Sequence, residues 1–385
     1  VFFFTEIYFL IYMVPKEVVV LSPGRINLIG EHIDYNGGNV MPAATDLYIR
    51  LQFYINKNNF SEVQSKTINK SIKLDVNNLE KSKLKWENYI IGSLIILTRK
   101  RNANLKNFSC KIDGNLPLGA GISSSSALIC GFIKGIGILN NLDFSDEEIL
   151  SISREVEYDF IGVKGGIMDQ FSIIHSKENN LIFLNCKSKS FEHINLDLGE
   201  YKILLLDTNI KHDLLESSYN DRVRECEKAL EIVNNKKANY NFLTEVTLED
   251  LEILKAKVPK KIYNRALFVV EENDRTLIAK QKLKNSDLKG FADLMYLSHY
   301  GLKNLYEVSC DELDFLVDQT INNNMILGSR MMGGGFGGCT INIIHSEEVE
   351  SFVRNISKKY LNKFSKNLTP IITTLGKGLN YEIIR

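Results

Sequence analysis

Short apolar runs alternate along this chain with longer segments whose apolar residues recur every three to four positions. Period-two or continuous runs predict strands, and the longer spacing predicts helices with one buried face. Residues 17–21 read as a strand leading into Ser22-Pro23-Gly24, residues 48–55 as a second and residues 108–112 as a third. Ile90, Ile91, Leu94, Ile95 and Leu97 predict a helix over 86–97. Further on, 201–207 has the uninterrupted apolar character of a strand covered on both faces. Helices are expected at 217–233, 266–283 and 311–322, and a strand at 340–344. The Asn- and Lys-rich stretch 234–241 reads as a surface connection. Strands and helices therefore come in α+β order, not as regular βαβ units, and no internal repeat is present.

With 385 residues the chain is longer than one core usually supports, which predicts two domains. The polar stretch 176–180 and the apolar segment 181–184 place the change within 176–200, giving domains 1–185 and 186–385. Residues 1–14 are strongly apolar but contain Glu6, are too short to span a bilayer, and lack the basic start and small-residue cleavage site of a signal peptide. They are read as a packed terminal helix or strand, or as an incorrect gene start.

Charge narrows the partners. With 47 basic and 47 acidic side chains the formal net charge is zero, so there is no electrostatic footprint for nucleic acid or an anionic membrane. A small-molecule partner is the expectation. Cys110, Cys130, Cys186, Cys226, Cys310 and Cys339 are scattered with no C-x-x-C pair, and read as free thiols of a reducing cytoplasm. The six histidines show no zinc-ligand spacing, so a metal here is expected to be oxygen-bound.

Three polar or glycine-rich blocks carry the candidate chemistry. Gly119-Ala120-Gly121-Ile122-Ser123-Ser124-Ser125-Ser126 precedes an apolar run and describes a loop feeding a helix start. There the free backbone N–H groups and the positive end of the macrodipole favour phosphate oxygens. Each serine alone reads equally as an ordinary helix cap. An earlier block places Arg25, Glu31, His32 and Asp34 within ten residues, before Tyr35-Asn36-Gly37-Gly38. Several convergent donors and acceptors suit a polyol, although a solvated, mutually paired turn is the alternative. The third block, Gly333-Gly334-Gly335-Phe336-Gly337-Gly338, lies in a loop of the second half, as a closing loop or a tight turn.

The run Gly24-Arg25-Ile26-Asn27-Leu28-Ile29-Gly30-Glu31-His32-Ile33-Asp34-Tyr35 resembles the galactokinase signature. The serine and glycine blocks resemble the second and third motifs of the wider GHMP family of small-molecule kinases. The likeness continues through Trp86-Glu87-Asn88-Tyr89, Gly166-Ile167-Met168-Asp169-Gln170-Phe171, Ser217-Ser218-Tyr219-Asn220-Asp221-Arg222 and Glu272-Asn273-Asp274-Arg275, and covers nearly everything after Pro23.

The resemblance implies a two-domain GHMP-kinase fold: an N-terminal mixed-sheet domain of the ribosomal-protein-S5-like kind and a C-terminal α+β domain with a ferredoxin-like core, the active site lying in the cleft between them. It implies ATP-dependent phosphorylation of the C1 hydroxyl of galactose; a cytoplasmic monomer is the expectation, although the sequence is silent on oligomeric state. Asp169 is similar to the family's catalytic aspartate and Arg25 to the arginine beside it. Glu31, His32, Ile33, Asp34 and Tyr219 match its sugar contacts. Gly119, Ala120, Gly121, Ile122, Ser123, Ser124 and Ser125 match its triphosphate loop, and Ser65, with Trp86, resembles residues near its adenine pocket. Glu157 matches one of its Mg²⁺ ligands, with Ser124 or Ser125, the latter preferred, as the other. The chain departs from the family at Lys164-Gly165, where a cysteine is usual at the second position, at Met332 for threonine, and at Ser22 for alanine. Tyr158 stands where smaller polar residues are frequent. The rival readings are an N-acetylgalactosamine or arabinose kinase, and a sugar- and ATP-binding regulator without catalysis. The latter is disfavoured because Ser123–Ser126, Asp169 and Arg25 are all present.

Overall fold

The computed structural model describes residues 17–210, 215–235 and 239–384. The apolar N-terminal segment, His212 and part of the 234–241 connection lie outside the described residues.

The first half is built on strand β1 (Glu17–Asn27), the short β2 (Asn39–Val40), the long β3 (Pro42–Ile55), and β4 (Ser61–Ser65), β5 (Lys70–Leu74) and β6 (Phe108–Gly114). Helices α1 (Lys85–Arg101), α2 (Ser124–Leu139), α3 (Asp146–Val156) and α4 (Met168–His175) accompany them, with a π-helical turn at Glu157–Ile161. Strands β7 (Asn180–Asn185), β8 (Phe191–Asn195) and β9 (Tyr201–Asp207) lead to α5 (Leu215–Asn234), α6 (Leu248–Lys255), α7 (Lys260–Lys284) and α8 (Leu288–Gly301). The chain ends with α9 (Asp311–Asp318), β10 (Ile326–Met331), β11 (Cys339–His345), α10 (Val349–Phe364), β12 (Thr369–Thr373) and β13 (Asn380–Ile384).

Among the described residues there are three sheets: β13-β1-β3-β6-β4-β5, β10-β11-β9-β12 and β2-β7-β8. The first is mixed, because β4 and β6 run parallel while its other neighbours are antiparallel. The largest core lies between this sheet and the apolar faces of α1, α2 and α3, where Phe53, Phe108 and Phe132 meet at ring separations of 5.5–6.4 Å. A second core gathers Ile33, Met168 and Phe171 with apolar residues of α5, α6 and α7, and a third lies between the four-stranded sheet and α10.

The expected division between 185 and 186 falls inside the β7–β8 hairpin. β13 moreover brings residues 380–384 back to pair with β1. Strand β1 also runs further than its apolar residues suggest. Instead of stopping at Leu21 it continues through Pro23-Gly24 to Asn27, with a register shift between Pro23 and Arg25 in its pairing with β3. A bulge of this kind re-aims the side chain that follows it, here Arg25. The helix expected over 311–322 ends at Asp318, since Thr320 and the asparagines beyond it form turns.

Candidate active site

Arg25 leaves the bulge and points across to the first turn of α4. Its Nε donates to Asp169 Oδ1 at 2.8 Å and its Nη1 to the carbonyl of Gly121 at 2.6 Å. Burial pulls the guanidinium pKa down, but the carboxylates of Asp169, Glu31 and Asp34 outweigh it and the net shift is upward. Arg25 is a permanent cation in contact with both Asp169 and the Gly/Ser loop.

Ser123 does not act as a cap for the helix it precedes. It precedes α2 in the left-handed region, at φ 57°, and its side chain makes no capping bond. Its Oγ donates instead to Asp169 Oδ2. A non-glycine residue in that region is uncommon and carries some strain, here at the cavity wall. The start of α2 therefore has no side-chain cap bond from Ser123, and residues 123–126 line the cavity wall. Glycines 121 and 333 let the second and third blocks touch: a Cβ at Gly333 would lie 3.0 Å from the Gly121 carbonyl.

The three blocks and Asp169 line one cavity of about 430 Å³. Glu31, His32, Asp34 and Tyr219 are in its wall together with Gly119, Gly121, Ser123, Ser124, Ser125 and Glu157. Asp34 is half-buried against the backbone of the Gly166 segment, and a Cβ at Gly166 would come within 2.2 Å of Asp34 Oδ2. Burial, then the neighbouring charge of Asp169, push the Asp34 carboxyl up to about 6. Burial, then the positive charges of Arg222 and Arg330, push His32 down to about 3, against the hydrogen bond to Gly334. His32 is therefore neutral. Its Nε2 faces the Gly334 carbonyl at 3.2 Å and must carry the hydrogen, so its Nδ1 accepts from Tyr35 Oη at 2.9 Å. The tyrosine hydroxyl in turn lies 2.6 Å from that of Tyr306.

Glu157 opens the π-helical turn. Its Oε1 accepts from Ser126 Oγ at 2.6 Å and its Oε2 from Gln170 Nε2 at 2.6 Å. Burial raises this carboxyl to about 7, with Asp169 adding to the rise and the two hydrogen bonds opposing it.

Not every residue carried over from the motifs reaches the cavity. The Ile33 side chain is fully buried in the second core, and its carbonyl instead closes the following turn onto Asn36 and Gly38. Ala120 and Ile122 are buried in the first core, and Ile122 serves through its carbonyl, which accepts from Arg25 N at 3.0 Å. Ser65 lines a separate, smaller cavity of about 150 Å³ with Trp86 and Leu128. Tyr89, Ser124 and Ser125 belong to both walls, so the two cavities adjoin. Glu157 takes the hydroxyl of Ser126 in the first turn of α2, and Ser125 lines the same cavity wall as Glu157.

The sequence reading missed Arg330. It is fully buried on β10 and pairs through Nη2 with Glu31 Oε2. A charged residue inside the otherwise uncharged strand run Ile326–Met331 was the available signal. Gln170, Ser126 and Tyr306 were likewise unassigned.

Comparison with known proteins agrees with this geometry. The galactokinase galactose-binding signature matches residues 9–53, the GHMP kinases N terminal domain residues 88–177 and the GHMP kinases C terminal model residues 279–362. The chain is 39% identical to the galactokinase of Thermosipho africanus over 90% of its own length and 94% of the relative's, and 39% identical to that of Clostridium acetobutylicum over 94% of each. The crystal structure of Lactococcus lactis galactokinase complexed with galactose superposes with a TM-score of 0.89 at 30% identity, covering 98% of both chains. Methanococcus jannaschii mevalonate kinase, at 21% identity and a TM-score of 0.65 over 93% of this chain and 98% of that one, shares the fold. By sequence, by two-domain α+β fold and by the meeting of its three motifs, the chain belongs to the galactokinase family of GHMP kinases.

Proposed function

We propose that this protein is an ATP-dependent sugar kinase that transfers the γ-phosphoryl group of ATP to the C1 hydroxyl of galactose, giving galactose 1-phosphate and ADP. One observation carries the reading: Asp169 touches the uncapped start of α2 through Ser123 and shares a cavity with the Glu31–Asp34 loop. A carboxylate is thus held between a phosphate-binding loop and a polyol-binding loop.

The sugar's C1 hydroxyl donates to Asp169. As its oxygen bonds to the γ-phosphorus and the bond to the bridging oxygen breaks, the proton passes to Asp169 and ADP leaves with the electron pair. Arg25 holds the carboxylate in place through its 2.8 Å ion pair and faces the charge that develops on the transferring group. The N–H groups of α2 and the glycine backbones hold the phosphates, and the apolar cavity of Trp86 and Leu128 receives the base. Most of the acceleration comes from positioning, since phosphoryl transfer asks for little covalent chemistry.

An ATP-dependent kinase calls for a divalent metal. Glu157 and the hydroxyls of Ser124–Ser126 offer oxygen donors on the cavity wall, a set that suits Mg²⁺, which takes few protein ligands and otherwise keeps waters and phosphate oxygens. Among the described residues there is no group of three or more His, Cys, Asp and Glu that could hold a metal by itself. Bound there, Mg²⁺ supplies neutralising charge to the phosphates. The six free cysteines support a reducing cytoplasm as the site of the reaction. No helix of the described residues is long and apolar enough to cross a membrane.

The test is ADP release with Mg²⁺ and, in parallel, galactose, N-acetylgalactosamine, arabinose, glucose or mevalonate. Galactose is expected to give the highest turnover. A lead for the N-acetyl sugar or arabinose would move the substrate assignment. If no sugar were turned over while galactose and ATP still raised the melting temperature, a non-catalytic regulator would replace the kinase.

A further inference from the structure

The motif Glu272-Asn273-Asp274-Arg275 lies in the middle of α7, and neither Glu272 nor Asn273 is in the cavity wall. Glu272 is fully buried, which is costly for a carboxylate unless its oxygens are satisfied. Its Oε1 accepts from Gly30 N at 2.9 Å and from Ser298 Oγ at 2.6 Å, and its Oε2 faces Arg275 Nη1. The next residue repeats the pattern nine positions further along the first block. Asn273 Oδ1 accepts from Asn39 N at 3.0 Å and from Asn39 Nδ2 at 2.9 Å. Two consecutive side chains of one helix therefore grip the two ends of the loop that carries Glu31, His32 and Asp34.

We propose that Glu272 and Asn273 are positioning residues for the sugar: they clamp the Gly30–Asn39 loop, setting where its carboxylates stand before substrate arrives, and they do not act on the nucleotide. The physical ground is preorganisation. The loop is held between β1 and β2, and its polar residues bind a polyol well only if their spacing is fixed beforehand. Both Asn273 contacts use its oxygen alone, so a carboxylate at that position retains them. A second link runs the same way, since His299, the neighbour of Ser298, accepts at Nδ1 from Met331 N at 3.2 Å, just ahead of the third glycine block. α7 and α8 thereby tie the sugar loop and the glycine loop to one support.

This inference rests on galactose as the substrate. Its test is steady-state kinetics of the full chain with each substrate varied in turn. Asn273→Ala should raise the KM for galactose by about tenfold, the scale of one or two net hydrogen bonds. The KM for ATP should stay within about twofold and kcat at saturating sugar within about threefold, as expected for a loss of ground-state binding. Asn273→Asp should restore galactose KM to near the parent value. Should Asn273→Ala fail to fold, Asn273→Ser, too short to reach Asn39, carries the same expectation. An unchanged galactose KM in Asn273→Ala, a parallel rise in both KM values, or no rescue by Asn273→Asp overturns the clamp. Absence of galactose turnover in the parent protein would overturn the substrate reading instead, so the two failures are distinguishable.

Discussion

Arg25 with Asp169 and Arg330 with Glu31 are both arginine–carboxylate pairs of the same site, yet the first leaves its carboxylate 29% exposed while the second is sealed at 0% and 2%. Exposure separates their uses. An open carboxylate can exchange a serine hydroxyl for a substrate hydroxyl, the exchange of Ser123 that the proposed mechanism asks of Asp169. Arg330 and Glu31 cannot part without leaving a charge buried and unpaired, so Glu31, which also lines the cavity, meets a ligand with this pair intact. It joins β10 in the second half to the sugar loop in the first, and so holds the loop from below as α7 holds it from its ends.

The largest effect should come from the open pair. Asp169→Asn keeps the shape but removes the proton acceptor, and kcat should fall by about a thousandfold or more while ATP affinity holds. Single-turnover kinetics with nucleotide titration checks it, and a kcat within tenfold of the parent would make Asp169 a bystander. At the sealed pair the loss should appear in stability. Arg330→Met leaves Glu31 buried without its partner and should cost about 3–5 kcal/mol in denaturant unfolding. If the double variant with Glu31→Gln recovers part of that loss, the cost belongs to the stranded charge.

Smaller effects test the groups between the two pairs. Asp34 is held near 6, above its ordinary range, so between about pH 4 and pH 6 the folded protein binds more protons there than the unfolded chain. Its contribution to stability is thus lost as pH rises through that window, and Asp34→Asn should flatten this part of the melting-temperature profile. With the ionised form as the sugar's acceptor, galactose KM should fall by about tenfold from pH 5 to pH 7. A flat profile would mean that Asp34 binds sugar in its protonated form. Least severe is Ser126→Ala, which takes one donor from Glu157. The Mg²⁺ concentration for half-maximal rate should rise by about threefold, with kcat at saturating metal near the parent's, and direct Mg²⁺ titration of the ATP complex reads the same change.

Where function depended on adjacent residues, it was legible in the chain. A glycine–serine run before an apolar segment determines a loop and a helix start, because both are set by local dihedrals and by backbone groups a few residues apart. Arg25, Asp169 and the Glu31–Asp34 run could therefore be picked out by their blocks. Ile33, Ala120 and Ile122 show the limit: they sit inside the right motifs, but alternation along a buried segment turns their side chains into the core.

By itself the sequence determined which chemical groups are available and the local backbone shapes that present them, because those follow from short-range sterics and hydrogen bonding. Tertiary structure alone decided which groups meet. Arg25 and Asp169 are 144 positions apart and Glu31 and Arg330 299, and whether one carboxylate is left open and the other sealed depends on how three sheets and their helices pack, which no local pattern encodes.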